Sequence, residues 1–104
     1  MTEQEFKTRW AELCGKNPMI GIRKTKTLNE VIYLLKMDPK YDYNLSVSCG
    51  KKWQCIPSVR ETFVPVKLLA CKVFDIEFDT DCAEGFEGLV VNPNEIPLIV
   101  VLEE

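Results

Sequence analysis

Phe6, Trp10 and Leu13 recur at i, i+4 and i+7, one stripe of a helix, behind Thr2-Glu3-Gln4-Glu5. Thr2 and Glu5 have capping-box spacing, the hydroxyl within reach of the Glu5 amide and the carboxylate able to reach back. The pattern predicts an amphipathic helix over residues 3–14, stopped by Gly15 with Pro18 beyond it. Met19-Ile20-Gly21-Ile22 is short and apolar, compatible with a strand or a buried connection. Thr27-Leu28-Asn29-Glu30 repeats the capping-box spacing. Leu28, Val31, Ile32 and Leu35 then line a second helix over residues 28–37, which ends before Asp38-Pro39 because a residue preceding proline avoids the αR region.

From Tyr43 the period changes to two. Tyr43, Leu45, Val47 and Cys49 alternate with Asn44, Ser46 and Ser48, the pattern of a half-buried strand. Gly50-Lys51-Lys52 reads as a three-residue turn; an odd loop keeps parity, so Trp53 and Cys55 are expected on the face of Val47 and Cys49. Pro57 closes that strand, and residues 58–63 have the composition of a short helical turn. Residues 64–70 are open between helix and strand, since Pro65 suits a helix start while the β-branched residues suit a sheet. Phe74, Ile76 and Phe78 alternate with Asp75, Glu77 and Asp79, predicting a strand with the three apolar side chains inward and the acids outward. Leu89-Val90-Val91 and Leu98-Ile99-Val100-Val101-Leu102 flank the turn formers Asn92-Pro93-Asn94-Glu95 and read as a terminal hairpin. The expected fold is one α+β domain over residues 1–104. Two N-terminal amphipathic helices would pack on a mixed or antiparallel sheet of about five strands that ends in a C-terminal hairpin.

A length of 104 residues with 46% apolar and 28% charged positions fits a single globular core and excludes disorder. The absence of histidine removes the commonest general base and metal ligand. The N-terminal residues are charged, without the apolar core of a secretory signal, and the longest apolar run, residues 96–102, is too short to cross a bilayer. Five cysteines, an odd number, point with this to reduced thiols and a cytoplasmic protein. The net charge of -3 hides an asymmetry: residues 1–72 carry all 13 basic residues against seven acids, and residues 73–104 carry nine acids and no base. Whether the two halves separate in space depends on the fold.

No cofactor, metal or catalytic residue is expected. Cys49 and Cys55 form C-x5-C with Cys14, Cys71 and Cys82 scattered, which is not a zinc framework; buried thiols acting as small hydrophobes fit better. Asp75, Glu77, Asp79 and Asp81 imitate the start of a calcium loop, but Thr80 and Phe86 stand where its glycine and glutamate belong. Arg23, Lys24 and Lys26, with Lys51 and Lys52, are small basic clusters in a chain of pI about 5.0, so direct nucleic-acid binding is not expected. Gly85-Phe86-Glu87-Gly88 lacks phosphate-loop spacing.

Glu87 followed by Gly88-Leu89-Val90-Val91-Asn92-Pro93 and then Leu98-Ile99-Val100 resembles the signature closing the N-terminal domain of the SseB family. Trp53-Gln54-Cys55-Ile56-Pro57 resembles an upstream strand of that family, with Ser58-Val59 where Phe-Thr normally follows. The resemblance covers residues 43–102. It implies a mixed α/β domain whose relatives mostly have no assigned molecular role, with no catalytic residues to carry over.

The functional expectation is therefore a non-catalytic binding module for a protein partner, a basic one where it meets the acidic half, acting without a membrane; the oligomeric state is left open. Asp75, Glu77, Asp79, Asp81, Glu84 and Glu87 would form a steering rim around Phe86, which Gly85 and Gly88 leave free to project; the alternative reading keeps Phe86 in the core as a plug over the terminal hairpin. A second reading is a mobile-element or toxin-neutralising inhibitor that occupies a basic nucleic-acid or toxin cleft, and a third a cysteine-dependent enzyme using Cys71 or Cys82.

Overall fold

The structure, a computed structural model, describes residues 2–15, 26–80 and 94–103. Helix α1 (Glu3–Gly15) starts with the expected capping box: the Glu5 amide donates to Thr2 Oγ1 at 3.1 Å and the Thr2 amide donates to Glu5 Oε2 at 3.3 Å. Helix α2 (Leu28–Lys36) is capped by Thr27, whose Oγ1 accepts from the Glu30 amide. Strands β1 (Asp42–Cys49) and β2 (Lys52–Ile56) form a hairpin. A single helical turn, α3 (Val66–Leu69), settles the ambiguous stretch as helical, and β3 (Val73–Phe78) and β4 (Glu95–Leu102) complete the sheet.

The architecture is α+β, with a mixed four-stranded sheet in the order β2-β1-β4-β3. β4 sits between β1, which it pairs in parallel, and β3, which it pairs antiparallel. This corrects the expected terminal hairpin. Residues 89–91 lie outside the described residues, and both edges of residues 98–102 are taken by β1 and β3. Four strands, not about five, are found among the described residues. Pro97 of the central strand stands opposite Asp79, one residue past the end of β3: its carbonyl accepts from the Asp79 amide, and the bond that proline cannot donate falls where β3 has already ended.

One sheet face makes the core. Tyr43, Leu45, Val47, Ile56, Ile96, Leu98, Val100 and Leu102 meet Phe6 and Leu13 of α1 and Leu28, Val31, Ile32 and Leu35 of α2. No described helix packs on the other face. The β1–β2 hairpin departs from the expected register: Cys49 pairs with Lys52, so the loop is the two residues Gly50 and Lys51, with Gly50 at φ 62°. One residue fewer in the loop moves every following side chain to the opposite face. Trp53 and Cys55 therefore lie opposite Ser48 and Ser46, away from Val47 and Cys49, and both are exposed.

One buried carboxylate ties these layers together. Asp38 is fully buried and accepts from Arg9 Nε at 2.9 Å, Arg9 Nη2 at 2.5 Å, the Tyr43 hydroxyl at 2.5 Å and the Lys40 amide at 3.0 Å. Arg60 Nη2 donates to the backbone carbonyls of Asp38 and Tyr41. Burial by itself would raise the Asp38 pKa, but the donors from Arg9, Tyr43 and Lys40 outweigh it and hold the carboxyl well below its usual range. Burial and the same carboxylate push Tyr43 far above its ordinary value, so its hydroxyl stays a donor.

Asp38→Asn should cost about 3 kcal/mol at neutral pH, because it removes the buried charge that Arg9 pairs with and leaves the guanidinium only the exposed Glu12 at 3.5 Å. A folded-state pKa below the ordinary carboxyl value of about 3.9 gives stability that is complete above that pH and fades as pH falls below it. Urea titrations of both proteins should thus show a gap that is wide at pH 7 and narrows below about pH 4. A gap constant with pH would contradict the assigned charge state.

Candidate protein-binding surface

β3 is an edge strand, and its geometry differs from the simple alternation of its sequence. A register shift between Val73 and Asp75 inserts one extra residue opposite β4. Val73 stays on the core side, Phe74 is turned out to 73% exposure, and the inward pattern resumes at Ile76 and Phe78. The expectation that Phe74 faces the core is thus corrected: the bulge uses up one step of the alternation. Phe78 stacks on Phe6 at a centroid distance of 6.2 Å, and Phe6 on Trp10 at 6.3 Å, so an aromatic ladder runs from β3 onto α1.

The hydrogen bonds of β3 define which side is open. The Asp79 amide donates to the Pro97 carbonyl, and antiparallel pairs alternate, so Asp75 and Glu77 direct their backbone groups at β4 while Ile76 and Phe78 direct theirs outward. Near its start this outer edge is covered: the Val73 amide donates to the Lys26 carbonyl and the Leu28 amide to the Cys71 carbonyl. Beyond the bulge, no described strand covers it. The Ile76 amide is bonded locally by Asp75 Oδ1 at 2.9 Å.

Beside the open edge lies a groove of about 560 Å³ between α1 and β3, with Phe6, Trp10, Ile76 and Phe78 as its apolar wall and Glu3 and Glu77 on its rim. A smaller recess of about 270 Å³ shares Trp10 and Ile76 with it and adds Lys26, Phe74 and Asp75. Asp75 and Glu77 project on the same side of β3, opposite Val101 and Ile99. Interaction with the neighbouring Asp75 side chain, with the repulsion between the two carboxylates, raises the Glu77 pKa above its ordinary value. Neither forms an ion pair with a described cation, whereas Lys7 at the groove is engaged by Glu3 at 3.6 Å.

Of the expected site residues, the structure brings Asp75 and Glu77 together on one face and places Asp79 just beyond the strand. Asp81, Glu84, Phe86 and Glu87 lie outside the described residues, as do residues 19–22, Arg23, Lys24 and Cys82. Phe6 and Trp10 were legible only as a core stripe; their place in a groove wall depends on which strand ends up beside α1. The cysteines depart from the expectation of buried thiols: Cys55 is exposed, and Cys14, Cys49 and Cys71 are half-buried, with burial pushing the Cys14 thiol up. No cluster of metal-ligating side chains occurs among the described residues. A second groove of about 470 Å³, between α1 and residues 40–41, has its cations already engaged, Arg9 by Asp38 and Lys40 over the Tyr41 ring at 5.1 Å. None of the described helices is long and apolar enough to cross a membrane.

No protein-family model, curated protein or solved structure matches this chain, so the SseB resemblance rests on the residues quoted for it.

The bulge separates two phenylalanines that the sequence treats alike. Phe74→Ala should change unfolding free energy by no more than about 0.5 kcal/mol, and Phe78→Ala should lower it by about 2 kcal/mol. Denaturant titration of the two variants checks this; equal losses would remove the bulge from the account.

Proposed function

We propose that this chain is a non-catalytic protein-binding module that recognises a basic partner along β3. The observation that carries this reading is the adjacent pair Asp75 and Glu77, which has no described cation and stands on an open strand edge beside an aromatic groove. Two carboxylates crowded enough to raise a pKa are relieved by an incoming ammonium or guanidinium, so charge complementarity favours such a partner and speeds its encounter. The half-buried Trp10, Ile76 and Phe78 supply apolar surface next to those charges, the combination of an apolar centre and a charged rim found in specific interfaces.

Affinity capture from the source cell with the wild-type protein, with Asp75→Lys/Glu77→Lys and with Lys51→Glu at the opposite end of the sheet tests the reading. Wild type and Lys51→Glu should retain the same partner, which the double reversal and high salt should both release. Capture of an identical set by all three proteins, insensitive to salt, would overturn it.

A further inference from the structure

The exposed apolar side chains Phe63 and Val66 stand around the short α3, and Tyr33 and Met37 lie on the outer side of α2, but neither pair lines a described groove that would define a partner. The outer edge of β3 has all three: backbone groups, an apolar groove and uncompensated charge. We propose that it receives an extended peptide segment that pairs with Ile76 and Phe78 as a fifth strand and alternates basic with apolar residues. This inference rests on the binding-module reading and specifies its ligand.

The geometry sets the alternation. Ile76 and Phe78 direct their backbone groups outward, so an added strand finds ladder partners there, and at Ile76 it displaces the local bond from Asp75 Oδ1. Freed from that bond, the Asp75 carboxylate becomes available to a cation. Successive side chains of the added strand point to opposite faces of the sheet. On the helical face they enter the groove against Phe6, Trp10, Ile76 and Phe78 and must be apolar. On the other face they pass Asp75 and Glu77 and are best basic. The covered start of β3, where residues 26–28 pair with 71–73, gives the added strand a fixed end point.

Strands of a second copy fit less well. Two β3 edges would set Asp75 and Glu77 against their own equivalents, a like-charge contact that opposes pairing. The β2 edge carries Lys52, with Lys51 in the turn before it, but also the bulky exposed Trp53, and pairing β2 to β3 between copies would build an open chain rather than a closed dimer.

The probe is a fluorescein-labelled, end-capped octapeptide of alternating lysine and valine. One comparison peptide has the same composition in the order Lys-Lys-Val-Val repeated, and another has the alternating order with every second amide N-methylated. Binding is read by fluorescence polarisation, and the groove by Trp10 emission in a Trp53→Phe background. The alternating peptide should bind about tenfold tighter than either comparison and shift Trp10 emission. Asp75→Asn/Glu77→Gln, which keeps the shape of both side chains, should weaken its binding about tenfold and reduce its salt dependence. Equal affinity for the two sequence orders, or no effect of N-methylation, would reduce the interaction to unstructured charge attraction and overturn strand addition. Self-association that excludes the alternating peptide would assign the edge to a second copy and overturn it equally. Charge-dependent capture of a partner that persists in either case would leave the binding-module reading standing without the strand.

Discussion

A carboxylate without access to water must be surrounded by donors, and Asp38 recruits them from four parts of the chain: Arg9 of α1, the Lys40 amide after α2, Tyr43 of β1 and, through its backbone carbonyl, Arg60 of the 58–62 turn. Leaving Arg9 out would strand a charge in the core, which is why so small a cluster can fix the arrangement of whole elements. Its effect on α1 matters most. At 100° per residue, Arg9 and Trp10 flank the buried stripe of Phe6 and Leu13 on opposite sides. Once Arg9 is anchored on Asp38, the other flank of α1 is turned toward β3, and the Phe6–Phe78 stack holds it there.

The groove follows from that rotation together with the position of β4. Because β4 inserts between β1 and β3, β3 is displaced to the sheet edge, where the Phe6–Phe78 stack and the groove set it beside α1. The bulge between Val73 and Asp75 then decides what the edge presents. It releases Phe74 to solvent, keeps Ile76 and Phe78 against α1 and sets Asp75 and Glu77 together on the face that no described helix covers. Packing on one side and charge on the other thus meet at a strand whose outer backbone groups point away from the sheet.

Local signals in the sequence carried the elements they encode directly. Both capping-box spacings mark true helix starts, and the Tyr43, Leu45, Val47 alternation gives the correct buried face of β1. What depended on a count of one residue was lost: the two-residue loop at Gly50 and Lys51 and the extra residue in β3 each flip side chains, and nothing near Trp53 or Phe74 states the register. The β4 insertion and the Asp38 cluster are long-range, joining Arg9 to a residue whose local sequence, Asp38-Pro39, speaks only of a helix end. The carboxylates of the candidate site were legible as the outward half of an alternating pattern. The groove beside them was not, since it exists only after α1 and β3 become neighbours.

Native-state amide hydrogen exchange along β3 tests the open edge most directly. Glu77, whose amide points at β4, should exchange slowly, while Phe78, one residue on and pointing outward, should exchange far faster, its protection rising only when the alternating lysine–valine peptide is bound. A Phe78 amide as protected as that of Glu77 in the free protein would show that the edge is already filled and would contradict the account.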